Sequence, residues 1–131
     1  MTYLLDTNAM TAWAKKDAHF IARIKTSVPS ELRISVLTEH ELRYGIACNP
    51  NLRLRPVLER MLTLLQKVMV DSDVAATAAL LRADLRKRGL PVGPYELLIA
   101  ATALTHGLTV VTHNTLEFSR VEGLNLEDWQ Q

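Results

Sequence analysis

The chain has 131 residues, of which 48% are hydrophobic and 22% charged, and its net charge is +1. This length fits one domain, residues 1–131, and the composition excludes a disordered chain. Cys48 is the only cysteine, which excludes an internal disulfide, and no segment resembles a secretion signal. Apolar runs are far shorter than the ~20 residues of a membrane-spanning helix, so we expect a cytoplasmic protein that does not bind a membrane.

The first half of the chain alternates short apolar runs with helical patterns. Tyr3–Leu5 is predicted to be a buried strand, and the polar residues 6–8 that follow it are typical of a helix start. Leu32–Ser35 is predicted to be a second strand and Leu37–Cys48 a helix. Apolar residues at helical spacing predict another helix over residues 55–65.

The alternation continues in the second half. We predict a third strand at Val68–Val70 and then a long helix that is capped by Ser72 or Asp73 and ends at Gly89. Gly93 and Pro94 are typical of a helix entry, and the residues after them, Leu97–Leu104, are apolar nearly all round, which predicts a buried helix.

Strands at Leu108–Val111 and Leu124–Leu126, the latter an edge strand before a tail with Trp129, complete the predicted set. Strands that alternate with helices predict a three-layer α/β domain whose central, mainly parallel sheet of four to five strands is flanked by helices. In such folds ligands bind outside the carboxyl ends of the strands.

Three carboxylates are candidates for that edge. Asp6 follows the first strand, Glu41 lies within a helix, and Glu96 lies in the first turn of the buried helix. Each has an ordinary structural interpretation: a helix cap, a surface glutamate, and a carboxylate at the positive end of a helix dipole. Together they predict a site for Mg²⁺ or Mn²⁺, ions that bind carboxylates and waters.

In this hypothesis Asp6 and Glu96 are direct metal ligands, and Glu41 orders metal waters or a second ion. Such a site can activate water and neutralise charge on a phosphate. The polar side chains predicted to surround the ligands are Thr7, Asn8, Thr112 and Asn114.

Four stretches resemble the PIN-domain family, and specifically VapC-type toxins of bacterial VapBC toxin–antitoxin pairs. They are residues 4–8 (LLDTN), 38–45 (TEHELRYG), 93–101 (GPYELLIAA) and 111–118 (VTHNTLEF). The resemblance implies a PIN fold and a Mg²⁺- or Mn²⁺-dependent endoribonuclease that is inhibited by a VapB antitoxin and is usually dimeric. Its implied substrate is RNA, often tRNA, with the initiator tRNA among the candidates.

The resemblance also implies roles for individual residues. Asp6 and Glu41 correspond directly to acidic site residues, whereas Glu96 stands where the family usually has Asp. Asn114 stands where many relatives have a fourth Asp, a difference that Glu117 would offset. Glu96 adds a methylene group to a ligand position, and we consider two hypotheses: natural divergence with activity retained, or a substitution introduced to impair the site so that a toxic protein can be produced.

Other functions are compatible with parts of the sequence. A phosphatase of the haloacid dehalogenase type would need a second aspartate where Asn8 stands. A metal-free ribonuclease could use His40 and His113 as acid and base. The remaining alternative is a PIN domain that Glu96 has made inactive and that acts as an RNA- or antitoxin-binding module.

Overall fold

A parallel sheet of five strands forms the centre of the structure, a computed structural model that describes all 131 residues. Every neighbouring pair of strands runs parallel, which confirms the predicted type of sheet. The order across the sheet is β3-β2-β1-β4-β5, with β1 at Tyr3–Leu5, β2 at Leu32–Ser35, β3 at Gln66–Val68, β4 at Thr109–Val111 and β5 at Leu126–Glu127.

Helices cover both faces of this sheet. Leu5 packs with Ile34 on one face and Leu4 with Val110 on the other, because successive side chains of a strand point to opposite sides. The two resulting cores confirm the three-layer prediction. None of the helices combines the length and the apolarity that a membrane span requires. The helices are α1 (Thr7–Ala14), α2 (Ala18–Ile24), α3 (Val36–Cys48), α4 (Arg55–Leu64), α5 (Ser72–Arg88), α6 (Pro94–His106) and α7 (Thr115–Phe118), and a 3₁₀ turn lies at Pro29–Glu31.

The predicted bounds of the third strand were wrong. The sequence predicted Val68–Val70, whereas β3 begins two residues earlier, at Gln66, and Met69 is exposed. Strand pairing sets these bounds, because Gln66, Lys67 and Val68 lie opposite the residues of β2. An edge strand is solvated on one side and therefore accepts polar residues that apolar patterning does not recognise.

The carboxyl-terminal segment also differs from its prediction. The edge strand is Leu126–Glu127 instead of Leu124–Leu126, since these two residues pair with Val110 and Val111. Trp129, which was assigned to a tail, is buried against Tyr3 and Phe20, with ring centroids 5.0 and 5.4 Å apart. The chain end is therefore part of the core.

The N-cap of the long helix α5 lies one residue before Ser72, the first of the two predicted caps. Asp71 is the N-cap, and its side chain accepts a hydrogen bond of 3.0 Å from the backbone N–H of Val74. Ser72 and Asp73 lie inside the helix. Three consecutive residues can all cap a helix, and only the one whose side chain reaches an N–H group two or three residues on does so.

We predict that Asp71→Ala lowers the free energy of unfolding by about 1 kcal/mol, because the N–H of Val74 loses its acceptor. The matched control Ser72→Ala should change it by less than about 0.5 kcal/mol. Urea denaturation of the two variants and the wild type under the same conditions measures both changes. Equal losses in the two variants would contradict the assignment of the cap.

Candidate active site

Asp6 is fixed at the carboxyl end of the central strand β1. Its backbone N–H donates to the carbonyl of Val111 at the end of β4, and its Oδ1 accepts a hydrogen bond of 2.8 Å from the N–H of Ala9. Asp6 is thus the N-cap of α1 as well as a site candidate, and it is only 6% exposed. The strand pairing and the cap together fix the position of this carboxylate.

Glu41 reaches the same edge of the sheet from α3, which begins directly after β2. Its Oε1 accepts a hydrogen bond of 2.9 Å from the hydroxyl of Thr7, in the first turn of α1. This contact joins two helices whose starts follow neighbouring strands. Glu41 is therefore an oriented, half-buried group, and the surface-glutamate interpretation is wrong.

Glu96 lies in the first turn of α6, where Pro94 is the first helical residue, as predicted. Its carboxylate folds back over Gly93, so that a Cβ atom at Gly93 would overlap it. A side chain at Gly93 would therefore displace the Glu96 carboxylate, the flexible end of that side chain, from this position.

Asn114 is held by a network at the end of β4. Its Nδ2 donates to Glu117 Oε2 at 2.8 Å, and Glu117 Oε1 accepts from the N–H of Gly93 at 2.6 Å. The Gly93 N–H and then the Asn114 amide lower the pKa of Glu117, which stays ionised. The backbone N–H of Asn114 also donates to the Thr112 hydroxyl. Glu117 thus orients Asn114 and links α7 to the start of α6.

These elements enclose a cleft of about 150 Å³. It contains six of the eight predicted site residues, while Thr112 and Glu117 support Asn114 from outside it. The sequence did not indicate the two apolar lining residues, Ile99 and Phe118, because they belong to the buried faces of α6 and α7. The residues that line the cleft are Asp6, Thr7, Asn8, Glu41, Glu96, Ile99, Asn114 and Phe118.

The cleft carries negative charge that no basic side chain in its lining balances. Burial, with a smaller contribution from repulsion by Glu41 and Glu96, raises the pKa of Asp6 to about 6, against hydrogen bonds from Thr112 and Ala9 that lower it. A larger groove of about 860 Å³ between α5 and α6 includes Arg82 and Arg86 but no carboxylate. Of these two cavities, only the smaller cleft is therefore lined by carboxylates.

The donor atoms fit a hard divalent cation in an open arrangement. Three carboxylates and two side-chain amides in the lining could supply oxygen ligands, but no three His, Cys, Asp or Glu residues converge into a ready-made ion site. Mg²⁺ commonly binds through one or two carboxylates and keeps several waters. The cleft fits that mode of binding and not a closed cage of protein ligands.

We predict that Asp6→Asn stabilises the protein at pH 7 in the presence of chelator. The pKa of Asp6 is about 6 in the folded protein against the ordinary value of 3.8 for an aspartate. The unfolded chain therefore loses this proton first, and stability falls as the pH rises from about 4 to about 6, by at most about 3 kcal/mol. Asparagine carries no charge and caps a helix equally well.

Thermal denaturation between pH 4 and pH 8 measures this effect. The melting temperature of Asp6→Asn should exceed that of the wild type above pH 6, and the two should converge near pH 4. A variant that is less stable than the wild type at pH 7 would contradict the electrostatic description of the cleft.

Comparisons with known proteins show which family and which solved structures the chain resembles. The PIN domain family matches residues 3–124. The chain is 37% identical to the tRNA(fMet)-specific endonuclease VapC of Salmonella typhimurium, over 98% of each chain, and 29% identical to ribonuclease VapC2 of Rickettsia felis, over 100% of each. The crystal structure of DNA-bound VapBC from Salmonella typhimurium superposes with a TM-score of 0.88, at 35% identity and over 98% of each chain.

Proposed function

The chain belongs to the PIN domain family, and on that premise we propose that it is a metal-dependent endoribonuclease, the toxin of a VapBC-type toxin–antitoxin pair. The proposed reaction is hydrolysis of phosphodiester bonds in RNA. Among the relatives is an endonuclease named as specific for tRNA(fMet), which makes the initiator tRNA the first substrate to test.

The observation that carries this proposal is the unbalanced negative charge of the cleft. Asp6, Glu41 and Glu96 line it without any lysine, arginine or histidine. Buried charges in proteins are paired or bind metals, and these oxygen donors suit Mg²⁺ or Mn²⁺. Such an ion, when bound, supplies charge neutralisation at a phosphate and a lowered pKa for water.

The residues of the chain then have separate roles. Asp6 and Glu96 would hold the ion directly, and Glu41 would hold its waters or a second ion. The backbone N–H of Ala9 orients Asp6, and the Thr7 hydroxyl orients Glu41. Glu117 orients Asn114. Such supporting contacts commonly change metal affinity or activity by 10- to 100-fold.

Complex formation with a VapB-type antitoxin and a homodimer are further parts of the proposal. The relatives of known structure include VapBC complexes. We propose that the antitoxin contacts the helices between Leu37 and Leu65 and places a basic side chain in the acidic cleft, where the charges are complementary. The same contact would explain inhibition, because that side chain would occupy the position of the cation.

One observation favours a second candidate function. The Glu96 carboxylate folds back over Gly93, and no three candidate ligands converge. A longer side chain at this position could leave the ion poorly held, since Mg²⁺ requires near-ideal octahedral geometry. The second candidate is therefore a catalytically impaired PIN domain that binds RNA or antitoxin.

We predict that the purified protein cuts a tRNA pool at discrete positions with Mg²⁺ or Mn²⁺ and that chelator abolishes the cuts. Asp6→Asn and Glu41→Gln should lower the rate at least about 100-fold, because each removes a charge that holds the cation. Glu39→Gln is a matched control, since Glu39 pairs with Arg43 outside the cleft lining. Cleavage that survives chelator would contradict the metal-dependent proposal.

We further predict that Glu96→Asp changes the rate only a few-fold, because the open cleft leaves room for waters to complete the ion's ligands at either side-chain length. Gel analysis of the same tRNA pool measures it. An inactive wild type whose activity appears with Glu96→Asp would favour the impaired binding module instead.

A further inference from the structure

Three aromatic side chains lie beside the acidic cleft without belonging to its lining. His40 and Tyr44 are on α3, and Tyr95 is in the first turn of α6. The His40 ring stacks on Tyr44, with centroids 6.5 Å apart and planes at 22°, and meets Tyr95 edge-on at 6.2 Å. We call this group the aromatic rim.

The aromatic rim is exposed, and it is contiguous with the site. Tyr44 is 65% exposed and Tyr95 38%. Glu41 and Glu96, the residues directly after His40 and Tyr95, both line the cleft. The rim therefore bridges the same two helices that carry these carboxylates, while its rings do not serve the hydrophobic core.

The Tyr44 ring stays uncharged at physiological pH. A hydrogen bond with Cys48, one turn further along α3, raises the pKa of Tyr44 above its ordinary value. Arg43, the nearest cation in sequence, donates to Glu39 at 3.1 and 3.0 Å. The surface beside the cleft is therefore aromatic and largely free of unpaired positive charge.

RNA binding at this site cannot depend on charge alone. The cleft is acidic, and the net charge of the chain is only +1, so the phosphate backbone gains little long-range attraction. Stacking of bases on aromatic rings supplies affinity that does not need charge, about 1 to 3 kcal/mol per base. Unpaired loops of RNA offer such bases, whereas a paired helix does not.

We propose that the aromatic rim is a stacking site for unpaired nucleobases next to the bond that is cleaved, with Tyr44 and Tyr95 as the rings that the bases contact. This inference rests on the proposed ribonuclease function and names the feature of the RNA that the site recognises. It makes Tyr44 and Tyr95 substrate-binding residues and leaves the cleavage chemistry to the carboxylates.

The test is the binding of a fluorescently labelled single-stranded RNA octamer to the full chain, with EDTA present to prevent cleavage. Tyr44→Ala and Tyr95→Ala should each raise Kd by about 5- to 150-fold, which corresponds to loss of one stacked base. Tyr44→Phe and Tyr95→Phe keep the ring and should stay within about threefold. Leu64→Ala is the control, because Leu64 is also an exposed apolar side chain, at 75%. It lies at the end of α4, just before the amino end of β3, whereas the cleft lies at the carboxyl ends of the strands.

Two further measurements separate stacking from a structural role. A 2-aminopurine base in the octamer should lose fluorescence on binding to the wild type but not to Tyr44→Ala. The dependence of Kd on salt concentration should keep its slope in the alanine variants, since these remove no phosphate contact. Phenylalanine variants that bind as weakly as the alanine variants would overturn the proposal.

The test also distinguishes this inference from the function on which it rests. Metal-dependent cleavage with unchanged RNA binding in Tyr44→Ala and Tyr95→Ala would overturn the stacking site and leave the ribonuclease standing. Ring-dependent binding without cleavage under any metal would support the stacking site and overturn the ribonuclease. Alanine variants that lose only affinity for a VapB-type antitoxin would overturn the stacking site and make the rim a protein contact.

Discussion

The site of this protein depends on one buried carboxylate, Asp6, that the fold holds close to two others. Asp6, Glu41 and Glu96 come from three elements that start at one edge of a parallel sheet, and no basic side chain lines the cleft between them. The raised pKa of Asp6 reflects the cost of this arrangement, which comes mainly from burial and to a smaller extent from repulsion by Glu41 and Glu96. The free energy that burial of the core provides must offset this cost, and a divalent cation would remove it.

The same residues serve the fold and the site. Asp6 caps α1, Thr7 belongs to the first turn of that helix and bonds Glu41, and Gly93 starts α6 while its N–H donates to Glu117. The positions of the carboxylates are therefore set by strand ends and helix starts, the most constrained parts of a parallel α/β fold. The aromatic rim lies on α3 and α6, the helices that carry Glu41 and Glu96. Base stacking and cation binding would therefore share one rigid framework.

Much of the fold and of the site follows from the sequence, for physical reasons that particular residues illustrate. Tyr3–Leu5 and the residues after it predict a central strand that ends in a polar turn, and the structure places Asp6 there. The bounds of β3 could not be predicted, because its polar residues belong to the strand through pairing with β2 and not through an apolar pattern. The back-folded position of Glu96 depends on Gly93, and the burial of Trp129 depends on Tyr3 and Phe20, contacts that have no signal in local sequence.

The central claim is that the acidic cleft is a site for a divalent cation, and titration calorimetry with Mn²⁺ tests it most directly. Saturable binding to the wild type that is lost in Asp6→Asn and retained in Glu39→Gln is the predicted result, because Asp6 lines the cleft and Glu39 does not. Absence of saturable binding to the wild type, or equal binding to all three proteins, would contradict the account.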